Sequence, residues 1–237
     1  MKIVLDSHTH TIASGHAYNT IMEMVHAASV KGLELLGITE HAEGMPGSCN
    51  NMYFRNVKVL PREMEGIEVL FGAEANILDP QGNLDMTEKD MRYLDVVIAS
   101  LHPHCMQPGT KVENTSAYLR AMDNPYINII GHPDDGRYPV DYEALVRAAG
   151  DNHVLLEVNN HSLDPHSVRT SARENLTEML KLCMKYSVSI ILDSDAHWCG
   201  DIANTAFSLP LIEEIGFPEE LVVNRSVEEY KKYIGKR

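Results

Sequence analysis

The chain has 237 residues, 44% of them apolar, and its 34 acidic against 20 basic side chains give a formal net charge of −14. That acid excess argues against the basic stripe that attracts long nucleic acid, and no apolar run approaches the ~20 residues that cross a bilayer. With no Pro/Gly/Ser-rich linker, no signal-peptide core and no C-x-x-C spacing among Cys49, Cys105, Cys183 and Cys199, one reduced, cytoplasmic domain over residues 1–237 is expected.

A strand at Lys2–Asp6 precedes a helix near Thr20–Lys31, where Ile21, Met24, Val25 and Ala28 recur at helical spacing. Leu35–Thr39 reads as the second strand, followed by a polar loop over Glu43–Asn51 and a helix near Phe54–Glu65. Strands Val69–Ala73 and Val96–Ser100 flank a short acidic helix beginning near Thr87. Helices near Glu113–Met122, Tyr142–Ala149 and Ala172–Tyr186 lead into strands Ile127–Gly131, Val154–Val158 and Ser189–Asp193. The tail from Pro218, with its apolar Leu221–Val223 and a helix after Ser226, is assigned to barrel closure or packing. Seven short strands dominated by Val, Ile and Leu suit a parallel sheet covered on both faces. The expected class is α/β, a distorted TIM-like (β/α)7 barrel, with a doubly wound open sheet as the alternative.

Residues able to hold a metal recur at the C-terminal strand ends, where a barrel gathers its functional side chains. His8 and His10 follow the first strand, two residues apart and so on one face. His41 follows the second, Glu74 the third, His102 the fourth and His132 the fifth, while Asp195 and His197 follow the seventh. A single histidine in such a place is more often a hydrogen-bonded loop residue, but packing gives no reason for the recurrence. Glu74 is the candidate bridge, because a carboxylate has two oxygens to share between ions; a structural ion pair is its alternative. Imidazole and carboxylate donors suit zinc, with iron or manganese as alternatives. His16 stands evenly between ligand and loop residue. His104 and His161 could donate a proton or contact substrate, or be ordinary loop residues, and stay outside the ligand set. His26, His153 and His166 read as background.

The ordered strings Asp6-Ser-His-Thr-His-Thr11, Ile38-Thr-Glu-His41, Gly131-His-Pro-Asp134 and Asp193-Ser-Asp-Ala-His197 resemble the PHP (polymerase and histidinol phosphatase) superfamily of metal-dependent phosphoesterases. Many members have Asp where this chain has Glu40, a change expected to touch only what lies behind the ligands. The resemblance implies three divalent ions, zinc foremost. His8, His10, Glu74 and Asp195 would hold the first; Glu74, His102 and His132 the second; His16, His41 and His197 the third. Glu74 and Asp195 are the residues given catalytic roles.

The activity expected is hydrolysis of a small phosphomonoester by a metal-activated water. Arg169 and Arg173 could touch phosphate, although a helix-surface role is the plainer reading of each alone. Phosphodiester or oligonucleotide cleavage and amidohydrolase-like chemistry are the enzymatic alternatives, and a metal-stabilised interaction domain the non-enzymatic one. The fourth strand ends in Ser100-Leu-His102, without the bridging lysine common in amidohydrolases. Oligomeric state is unreadable.

Overall fold

The computed structural model describes residues 1–234. Its strands are β1 (Leu5–Asp6), β2 (Leu35–His41), β3 (Glu63–Met64), β4 (Ile67–Asn76), β5 (Val97–Ser100), β6 (Ile129–Ile130), β7 (Leu155–Asn159) and β8 (Ile190–Asp193). Between and after them run α1 (Ile21–Val30), α2 (Asn51–Asn56), α3 (Glu88–Met91), α4 (Lys111–Met122), α5 (Tyr142–Asn152), α6 (Ala172–Tyr186), α7 (Ser208–Ile215) and α8 (Val227–Ile234). Neighbours in the order β1-β2-β4-β5-β6-β7-β8 pair in parallel, and β3 adds antiparallel to β4. This is a nearly closed α/β barrel. Local chemistry starts the helices where the pattern predicts. Thr20 with Glu23 and Thr110 with Glu113 form capping boxes on α1 and α4, and Asp141 caps α5.

Because side chains alternate along a strand, the barrel interior is built in layers. Leu5, Leu35, Leu70, Ile98, Ile129, Leu155 and Ile191 form an apolar floor, sealed from outside by Val223 and by Tyr230 of α8. Two residues further along come Ser7, Gly37, Gly72, Ser100, Gly131, Glu157 and Asp193. Space there is short: a Cβ on Gly37 would lie 2.6 Å from the Ser7 carbonyl oxygen, and one on Gly131 would lie 2.2 Å from Ser100 Oγ. Beyond that layer lie Thr39, Glu74, His102, Asn159 and Asp195. Each fully buried floor aliphatic contributes about 1.5–3 kcal/mol relative to exposure, which stabilises the end opposite the polar layers.

The seam between β8 and β1 is closed differently. Backbone pairing there is a lone bridge between Thr9 and Ala196. Side chains supply the rest: Ser7 donates from N–H and hydroxyl to Asp193, and Ser194 donates likewise to Asp6. Below this reciprocal clasp, the Asn224 amide accepts from Leu192 N–H at 2.7 Å and donates to the carbonyls of Leu192 and Leu5.

Three features depart from the sequence reading. The helix expected over Phe54–Glu65 gives way at Asn56 to a 3-10 turn over Val57–Val59, which ends where Pro61 forces Leu60 into extended backbone. The chain then forms a hairpin, with Glu65 and Gly66 both at positive φ in its two-residue turn. Helix α7, with Pro210 in its first turn, was not anticipated. Strands β2 and β4 run on to His41 and Asn76, so Glu74 lies within its strand rather than closing it. The tail behaves as expected: Val222 bridges to Ile190, and Val223 joins the floor.

Candidate metal centre

Glu74 lies fully buried at the middle of the upper layer, and imidazoles approach it from several strands. His132 Nε2 is 2.9 Å and His102 Nε2 3.2 Å from its Oε1; His41 Nδ1 is 2.6 Å, His8 Nε2 3.4 Å and His10 Nε2 3.6 Å from its Oε2. Asp195 stands opposite, its Oδ1 3.3 Å from His10 Nε2 and 3.7 Å from His8 Nε2. His197 and His16 face each other nearer the surface, their Nε2 atoms 3.0 Å apart. All nine residues picked out from the sequence therefore lie in one cluster. Donor atoms come within 4.8 Å of one another in three trios: His8–His10–Glu74, His41–Glu74–His102 and His10–His41–His197. His41 sits between the second and third sets, closer to Glu74 than the family grouping implied. His132 and Asp195 adopt positive-φ backbone, at φ 28° and 56°, a conformation that costs energy in non-glycine residues.

The supporting hydrogen bonds fix which nitrogen of most rings is free. The Nδ1–H of His8 donates to Glu157 at 2.6 Å, that of His102 to Asn76 Oδ1 at 2.7 Å, and those of His16 and His197 to the carbonyls of Ser14 and Asp195. Ser14 gives its own proton to Glu40, so its oxygen accepts from His10 Nδ1–H. In all five rings Nε2 is the nitrogen left to face the cluster, a lone pair whenever the ring is neutral. The Nε2 atoms of His16 and His197, and of His102 with Glu74 Oε1, meet acceptor to acceptor. His8 Nε2, His10 Nε2 and Glu74 Oε2 are buried with no hydrogen-bond partner among the described residues. Such convergence is unfavourable unless cations lie between the atoms, so this donor set fits divalent metal ions.

Charge follows the same geometry. Burial would raise the Glu74 carboxyl, but His102, His41 and His8 outweigh it and hold the group well below the usual carboxylate range. Burial pushes His8 down, yet Glu157, Glu74 and Asp195 prevail and hold it well above an ordinary imidazole. Burial, with crowding by His41 and His197, drives His10 well down despite the opposing pull of Asp195.

Several contributors escape a reading of strand ends. Glu157 donates nothing and accepts three times: from His8, from His132 N–H at 2.5 Å, and from Asn159. Its signal was present, since an acid inside a strand of Leu and Val demands a partner as much as Glu74 does. Arg169 is not on a helix surface. It donates to Asn159, Ser162 and Asp195 Oδ2 and lines a cavity of about 710 Å³ above the cluster. Arg173 does stay outside, paired with Glu214. His104 and His161 line the cavity rim. His26 pairs with Glu65, and His153 stacks on Tyr233.

Residues 6–161 match the PHP domain. The chain belongs to the PHP family. It is 47% identical to a probable phosphatase of Caldicellulosiruptor saccharolyticus, across 99% of this chain and 97% of that protein. A probable phosphatase of Clostridium novyi is 46% identical across 99% and 95%. In fold it resembles the histidinol phosphate phosphatase of Lactococcus lactis, solved with zinc, L-histidinol and phosphate, at a TM-score of 0.66 and 22% identity over 90% of this chain and 94% of that one.

Proposed function

We propose that residues 1–237 form one PHP-type domain that hydrolyses small phosphomonoesters at a centre of three divalent ions, zinc foremost. Family membership and full-length likeness to proteins named probable phosphatase make it a phosphatase of that family. The observation that carries the metal centre is the convergence of buried imidazole nitrogens and carboxylate oxygens that lack hydrogen-bond partners. The zinc in the structurally similar histidinol phosphate phosphatase supports the choice of metal. No helix among the described residues is long and apolar enough to cross a membrane, and the four cysteines are free, in keeping with a cytoplasmic setting.

Ions bound here would supply Lewis acidity toward phosphate oxygens and a water of lowered pKa. The chain's own residues do the holding. Glu74 presents one oxygen to His8, His10 and His41 and the other to His102 and His132, so it would be shared between two ions. His8, His10 and Asp195 would complete one side, His102 and His132 a second, and His16, His41 and His197 would hold a third. Glu157, Asn76 and Ser14 keep the rings in the ligating tautomer. Arg169, anchored on Asp195 and open to the cavity, can pair with a phosphate oxygen.

Glu74→Gln tests the reading. Elemental analysis should show metal lost from the purified variant, and hydrolysis of a phosphomonoester should fall with it. Full metal content and rate in that variant would overturn the assignment.

A further inference from the structure

The cavity over the metal centre is polar at its base and aromatic at its lip. Trp198, the chain's single tryptophan, is 55% exposed there, and Tyr18 is 77% exposed on the same wall. Large aromatics left this open in a soluble fold forgo burial that would stabilise them. The loops that carry them are nevertheless tied down. Tyr18 N–H donates to the His197 carbonyl at 3.0 Å, and Cys199 N–H donates to Asn19 Oδ1 at 2.9 Å, so the two loops are tied together. Lys31 reaches across to donate to the carbonyls of Gly200 and Ile202, at 2.7 and 2.6 Å. The indole lies so close to Gly200 that a Cβ there would come within 2.2 Å of the ring. Glycine at 200 therefore lets the ring lie flat along its own loop. Trp198 immediately follows His197, and the two line the same cavity with His16.

We propose that Trp198, with Tyr18 beside it, is a fixed aromatic platform that selects phosphomonoesters whose leaving alcohol carries a planar aromatic ring. This rests on the phosphomonoester reading above. With phosphate drawn to the histidine–carboxylate base and Arg169, the alcohol portion points outward to the lip. A flat ring there gains stacking contact at reduced conformational expense, because the loop is already tied and the indole already rests against Gly200. An aliphatic alcohol gains much less from the same surface.

The test compares benzyl phosphate with propyl phosphate, whose leaving alcohols are chemically alike apart from the ring. The metal-loaded wild type should prefer the benzyl ester in kcat/KM, and Trp198→Ala should shrink that preference by about tenfold, chiefly through KM, with Trp198→Phe retaining most of it. A wild type without the preference, or a Trp198→Ala variant that keeps it, overturns the proposal. Because Trp198 is the sole tryptophan, its fluorescence reports binding without turnover. Benzylphosphonate should perturb the emission far more than propylphosphonate; equal responses overturn the platform. If neither ester is hydrolysed while benzylphosphonate still perturbs Trp198, the monoester reading fails and the platform stands.

Discussion

Glu157 shows how much of the centre depends on residues that need never touch a metal. Its two oxygens fix the His8 ring and the His132 backbone, one on each side of Glu74. Glu157→Gln keeps the shape but replaces one of these acceptor oxygens with an NH2 group that can only donate. Metal affinity should fall about 10–100-fold, measured by competition with a chelator, while circular dichroism stays native. Retained affinity would mean that His8 holds its tautomer unaided. At this scale the clustered residues were legible, because most of the histidines sit at or just past the end of a strand run, His16 in its loop being the exception. Their supports were not, since Ser14, Asn76 and Glu157 are polar residues whose roles depend on which ring comes to face them. The Glu40 exchange belongs to that hidden tier. It accepts from Ser14 and from Thr11 N–H and hydroxyl, two steps from any lone pair of the cluster.

Among the elements, β1 and β8 are the informative pair. Each is short, and the seam between them relies on side chains. Asn224→Ala would leave the N–H and C=O of Leu192 and the C=O of Leu5 buried without their partner, a loss of about 3 kcal/mol. Denaturant titration should show the unfolding free energy falling by that amount, and an unchanged value would mean the Asp–Ser clasp above suffices alone. The parallel strands were readable from their apolar runs and the long helices from their period. The β3–β4 hairpin was missed because a Met-Glu-Gly-Ile turn was taken into a helix, although Pro61 had already broken it. Helix α7 was missed because its apolar face is short, Leu211 and Ile212 being the buried pair.

At the level of the whole molecule, removing metal changes how stability responds to pH. Without ions the His8 pKa lies well above its unfolded value, held there by Glu157, Glu74 and Asp195 against the opposing effect of burial. A raised imidazole stabilises the fold fully below the unfolded pKa and ceases to do so as pH climbs through the folded one. Asp134, which burial pushes up to about 7, acts in the same direction but over a lower window, from its unfolded value of about 3.9 up to about 7, so the effect above pH 6.5 is mainly that of His8. The stripped protein should therefore lose stability as pH rises above about 6.5. Metal binding, which needs deprotonated ligands, strengthens over that range. The gap in Tm between loaded and chelator-treated protein should widen from pH 6.5 to 8.5, as calorimetry would show. A constant gap would mean that His8 is not the proton's resting place.

The stopper formed by Tyr230 and the floor aliphatics makes the barrel a blind well rather than a tunnel. Anything consumed at its base must leave through the opening by which it arrived. Of two products, the one seated deeper has to wait for the other to clear the way. Phosphate, drawn furthest in, would then depart last, and the pace of the whole cycle could be set by its release.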